Sequence, residues 1–212
     1  MGQEESSSRM RFLNRLFPYA ALFLFTAGFA ISAHAQSFLK NSDVSISAFA
    51  QSTSDVTGNG ITVKPTDSIG GQAAFRHSYH WWLGFEGSYD FTKFSDRYSN
   101  TPFAVQHNMH EFAASYLVSS GSILGFRPFA LGGISAVVYS PTLNGGQNVS
   151  YQGEPGLNFG VGVNRALYTS HFGVRLQYRG VYAKTPDFGR STLNAGTSRL
   201  TQEPMGGVYL RF

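Results

Sequence analysis

A period of two in the side chains constrains this chain more than any other feature. Phe172, Val174, Leu176, Tyr178 and Tyr182 fall on one side of an extended backbone, and Arg175, Gln177 and Arg179 fall on the other. Side chains alternate across a strand, so this segment is a strand with an aromatic face and a charged face. Seven further candidate strands follow from Asp43 onward. Val44, Ile46, Ala48 and Ala50 oppose Ser45, Ser47 and Gln51, with Phe49 alone on the polar side. Ile69, Ala73 and Phe75 oppose Gln72 and Arg76; Trp81, Leu83, Phe85, Tyr89 and Phe91 oppose Gly84, Glu86, Ser88 and Asp90. Phe112, Ala114, Tyr116 and Val118 oppose Glu111 and Ser115, and Leu157, Phe159, Val161 and Val163 oppose Asn158, Gly160, Gly162 and Asn164. The stretch from Phe126 to Tyr139 is apolar on both faces, which leaves its register open, and Gly132-Gly133 marks a candidate bulge. The last strand sets Gly206, Val208, Leu210 and Phe212 against Gly207, Tyr209 and Arg211.

The connections carry a second pattern. Those at 53–67, 92–108, 141–153 and 183–203 are long and polar, with turn signals at Gly58-Asn-Gly60 and Asn144-Gly-Gly146. Those at 78–80, 119–125 and 165–170 are short. Antiparallel membrane barrels have short periplasmic turns and longer extracellular loops. Aromatic residues make up 15% of the chain and charged residues only 13%. The apolar faces hold more rings than a small barrel interior accommodates. Tyr79, Trp81, Trp82, Phe91, Tyr139, Tyr168 and Tyr182 sit where interfacial girdles belong. The expected fold is therefore all-β: an eight-stranded antiparallel up-and-down transmembrane β-barrel with rings toward lipid.

The polar faces then line the lumen. Arg76, Glu86, Asp90, Glu111, Arg175, Arg179 and Arg211 are the expected network, with Arg127 assigned to neither side. A desolvated single charge is costly, so charges of both signs in so narrow a space should pair and fill it. The alternative is a lining of solvated charges around a narrow water path.

The amino-terminal stretch reads as a secretory signal. Arg9, Arg11 and Arg15 precede an apolar run from Leu16 to Ile31, and Ala33-His34-Ala35 forms a cleavage box before Gln36. Residues 1–35 are the expected signal peptide and 36–212 the barrel domain, with Met10 an alternative start. The expected location is the outer membrane, with both termini periplasmic. Losing Arg9, Arg11, Arg15, Glu4 and Glu5 takes the formal charge from +4 to about +3, and nothing in that balance points to nucleic acid. The chain has no cysteine, so disulfides and thiolate chemistry are excluded.

Catalytic and cofactor signals are weak. His107, His110 and Glu111 suggest metal ligands at first, but in a strand His107 and His110 face opposite ways, and so do His110 and Glu111. They read better as a pair at the loop rim, and no metal or cofactor is expected. His77-Ser78 and Ser170-His171 are adjacent pairs, so their side chains diverge and no Ser-His-acid set emerges. No catalytic residue is assigned and no enzyme is expected. Two functions remain: a structural or surface-interaction barrel, or a narrow porin-like channel or small transporter. In the first, Tyr98, Phe103, Tyr151 and Phe188 are displayed on loops toward an unidentified extracellular ligand. A monomer in lipid is expected in either case.

The signal peptide, eight strands, the run Arg127-Pro-Phe-Ala-Leu-Gly-Gly opening the fifth strand, and the carboxyl-terminal Phe212 resemble the OmpA-like family of small outer-membrane barrels. The resemblance covers the whole mature chain. It implies that the last strand, through Val208, Leu210 and Phe212, is read by the outer-membrane barrel assembly machinery. The chain departs from the larger members in that no peptidoglycan-binding domain follows Phe212, so anchoring to the cell wall is not expected.

Overall fold

The computed structural model describes residues 39–142, 149–167 and 171–212. Ala33, Ala35 and Gln36 of the expected cleavage box, Tyr168 and the Asn144-Gly-Gly146 turn lie outside them. The described residues form ten strands: β1 (Ser42–Thr53), β2 (Val56–Gly58), β3 (Ile61–Pro65), β4 (Ser68–Ser78), β5 (Leu83–Tyr98), β6 (Ala104–Ser119), β7 (Phe126–Pro141), β8 (Gln152–Ala166), β9 (Phe172–Lys184) and β10 (Ser198–Arg211). Eight of them close a ring in the order β5-β4-β1-β10-β9-β8-β7-β6, which the β5–β6 pairing completes. Every pair is antiparallel. Closure leaves no unpaired edge among these eight strands, which is what a bilayer requires of a spanning sheet.

The first and last strands meet with Val44 opposite Leu210 and Ile46 opposite Val208. The same register resumes at Ser52 opposite Gln202, beyond a gap at Pro204, which has no N–H to donate.

The aromatic and aliphatic face points outward. Ile69, Tyr116, Ile134, Leu157 and Leu176 are each at least 57% exposed, in a belt that circles the barrel. Trp81, Trp82 and Tyr79 stand exposed at the short-turn end. Phe49, the one ring on the polar face of β1, is buried in the interior against Gly70 of β4.

Three expectations change. The fifth barrel strand, β7, has Phe129, Leu131, Ser135, Val137 and Tyr139 inward. It carries no bulge at Gly132-Gly133, since the ladders to β6 and β8 run through both residues without a shift. A Cβ on the inward-facing Gly133 would strike the Ala114 carbonyl, so glycine serves close strand approach here. The second long loop is much shorter than expected, because β5 continues to Tyr98 and β6 begins at Ala104. The first long loop contains the β2–β3 hairpin, whose Asn59-Gly60 turn has φ of 49° and 75°. Positive φ at both positions is the demand of the tight hairpin turn that Asn-Gly best satisfies.

Candidate functional site: a filled interior and an ordered cap

The interior is stacked in layers from the short-turn end to the long-loop end. Nearest the short turns, Arg175 of β9 donates to Asp43 Oδ1 (2.7 Å), Ser45 Oγ (2.8 Å) and Asn164 Oδ1 (2.8 Å). Beside it Arg76 of β4 pairs with Glu86 of β5, donates to Gln177 Oε1 at 2.9 Å, and lies 4.2 Å from the Phe129 ring centroid. In the middle, Arg179 of β9 reaches Asp90 Oδ2 (3.1 Å), Glu111 Oε1 (2.9 Å) and Ser88 Oγ (2.9 Å). Higher still, Arg199 of β10 donates to Asp96 Oδ1 at 2.7 Å, between the rings of Phe94 and Tyr139. Arginine suits all four positions because its planar fork donates in several directions and stacks on aromatic faces.

Of the seven residues expected in the lumen, Arg76, Glu86, Asp90, Glu111, Arg175 and Arg179 are buried there. Arg211 shares their side of the barrel but sits half-exposed at the short-turn mouth, with its guanidinium 5.9 Å from the Tyr209 ring centroid. Arg127 lies at the same mouth, where it donates to the carbonyls of Trp81 and Ser120. Four further charged residues that the alternation does not point to, Asp43, Asp96, Arg199 and Glu203, are buried as well.

The histidine pair is not at the loop rim. His107 is fully buried inside β6, 3.7 Å from Asp96, while His110 faces outward and shares a 2.9 Å hydrogen bond with the Tyr89 hydroxyl. The opposite facing of the two follows from their odd spacing. One Ser–His contact appears that sequence adjacency did not suggest: Ser42 Oγ and His77 Nδ1 lie 2.9 Å apart on β1 and β4. Ser42 is buried, so its hydroxyl is not presented to a substrate.

The upper end is closed by an apolar cap rather than by an open aromatic display. Tyr98, Phe188 and Tyr139, expected to face outward, are buried in one cluster with Ile61, Val63, Val105, Met109, Leu193 and Ala195. Phe103 packs partly buried against it, and only Tyr151 of the four loop aromatics is fully exposed. Rings above the bilayer have no lipid to meet, so they turn inward and bury against each other.

Hydrogen bonds tie the loops together. Asn59 Nδ2 donates to Asn194 O at 3.1 Å, Asn100 Nδ2 to Thr192 O at 2.6 Å, and the Tyr98 hydroxyl to Pro186 O at 2.8 Å. Gln152 Oε1 accepts from the backbone N–H groups of Asp187 and Phe188. Phe188 itself has φ of 53°, a conformation that a bulky side chain adopts only when its surroundings hold it there.

Phe188→Ala is expected to remove about 3–5 kcal/mol of packing from this cap. The loss falls locally. Amide exchange and protease cleavage should rise across residues 185–197, while the barrel keeps its heat-modifiable gel migration. Unchanged exchange in that segment would show that Phe188 does not hold the cap.

The outer membrane protein beta-barrel domain family matches the chain over residues 21–201. Among solved structures, the chain is similar to Neisserial surface protein A, with a TM-score of 0.59 and 19% identity over 81% of this chain and 97% of that one. It is also similar to the outer membrane protein OprG from Pseudomonas aeruginosa, with a TM-score of 0.54 and 12% identity over 81% of this chain and 96% of that one. A comparison with curated proteins gave no match.

Proposed function

The chain belongs to the outer membrane protein beta-barrel domain family, and from that premise we propose that it is a closed barrel that works through the surface of its long-loop end. It is an integral outer-membrane protein. In the proposed role the ionic interior and the apolar cap are a plug, and the tied loops are a platform for an extracellular partner. The observation that carries this reading is the filling of the lumen: Arg175, Arg179, Arg199, Tyr139, Phe188 and Met109 are among the largest fully buried side chains. A small barrel so filled has little room for solute. Loops fixed to one another lose less entropy on binding a partner than free ones do. The relative described as a surface protein is compatible with such a role. In the same proposal the outward-facing Val208 and Leu210 of β10, with Phe212 just beyond its end, are what the assembly machinery reads.

Planar-bilayer recording tests the plug. The intact protein is expected to give no large, steady unit currents, and Glu86→Gln or Arg179→Gln to raise leak by disturbing the ionic layers. Steady unit currents from the intact protein would favour the narrow channel instead.

A further inference from the structure

We propose that the middle of the barrel binds one calcium-sized divalent cation through the carboxylates of Asp90, Glu111 and Glu203. Alternation within the apolar belt does not reveal this set, because Glu203 lies in a stretch that reads as loop.

The Arg179 guanidinium is shared between Asp90 at 3.1 Å and Glu111 at 2.9 Å. Into this group comes Glu203 of β10, which stands opposite Arg179 in the β9–β10 register. Glu203 is fully buried, and neither of its carboxylate oxygens has a hydrogen-bond partner. One oxygen from each of the three acids lies within 4.8 Å of the others. A cation bonded at about 2.4 Å places opposite oxygens up to about 4.8 Å apart, which is the calcium range.

Charge balance points the same way. Among the described residues, six acids are buried (Asp43, Glu86, Asp90, Asp96, Glu111 and Glu203) against four arginines (Arg76, Arg175, Arg179 and Arg199). Asp43, Glu86 and Asp96 each pair with one arginine of their own. The surplus of two negative charges therefore falls wholly on the group around Arg179. A buried, unpaired carboxylate is strongly disfavoured. One divalent ion cancels the surplus, and an all-oxygen set selects a hard cation over zinc or copper. With ion-paired layers below and the apolar cap above, the ion enters as the barrel closes.

The test uses the full-length mature protein refolded into detergent micelles in calcium or in EDTA. Metal content and the unfolding midpoint are then measured. One equivalent of calcium per chain is expected, with a midpoint about 5–10 °C higher at a hundredfold excess over Kd than in EDTA. Glu203→Gln should lose the bound calcium and the calcium-dependent shift, yet fold in EDTA at least as well as the wild type, because it removes an unpaired charge. Asp55→Asn, a change at an exposed loop acid, should keep both. If Glu203→Gln does not fold, wild-type metal content decides. Absence of bound metal, with equal midpoints in calcium and EDTA and a stability that follows pH alone, would overturn the proposal in favour of protons on the same carboxylates.

Discussion

Arg179→Met is expected to lower the stability of the barrel by about 3–5 kcal/mol, enough to cut refolding yield severely in micelles. The reason is what the substitution leaves behind. Among the described residues Arg179 is the one guanidinium in contact with both Asp90 and Glu111, and its removal strands two carboxylates beside Glu203 in a fully buried site. Methionine replaces much of the side-chain volume, so a cavity contributes little and the electrostatic loss dominates. The quadruple change Arg179→Met, Asp90→Asn, Glu111→Gln, Glu203→Gln should recover most of the yield, because a neutral set no longer needs a cation. Such rescue separates a charge effect from a packing effect, which the neutral partners would not repair. Urea midpoints followed by heat-modifiable migration give the readout; a single Arg179→Met with wild-type midpoint would show that the ionic layer contributes nothing to the fold.

How much of this site was legible in the sequence follows the bilayer. Within the apolar belt each strand contrasts a lipid face with an interior face, and there Arg76, Glu86, Asp90, Glu111, Arg175 and Arg179 could be read directly. Above the belt the outward face turns polar. On β5 the exposed Lys93 and Arg97 flank the buried Phe94, Asp96 and Tyr98, so alternation persists while its contrast disappears. The upper parts of β5, β6 and β10 therefore looked like loop, and Asp96, Arg199, Glu203 and the cap aromatics were lost with them. Parity alone could have recovered some of them: Asp96 is an even number of residues from Asp90, and Glu203 from Arg211. Pairings such as Arg199 with Asp96 join positions 103 residues apart, and only the closed ring fixes which strands face each other.

Phe212→Ala is expected to reduce assembly into the outer membrane of cells by tenfold or more, while refolding into micelles in vitro stays nearly normal. Within the fold, Phe212 contributes little. Its N–H donates to the Ser42 carbonyl at 2.9 Å, a bond that alanine keeps, and its ring is half-exposed on the lipid side. Losing a half-exposed ring from a face already bathed in lipid removes little buried packing, so the intrinsic cost is about 1 kcal/mol or less. The interior face of β10 is different: Arg199, Met205 and Tyr209 are all buried, and changes there should impair refolding and assembly together. Val208, Leu210 and Phe212 thus form an outward row whose value to the finished barrel is small. A strong defect in cells with intact refolding in micelles would mean that the row is read before closure, when β10 has yet to pair with β1. Equal, mild effects in both settings would reduce Phe212 to one more lipid contact and leave closure to the backbone register between Val44 and Leu210.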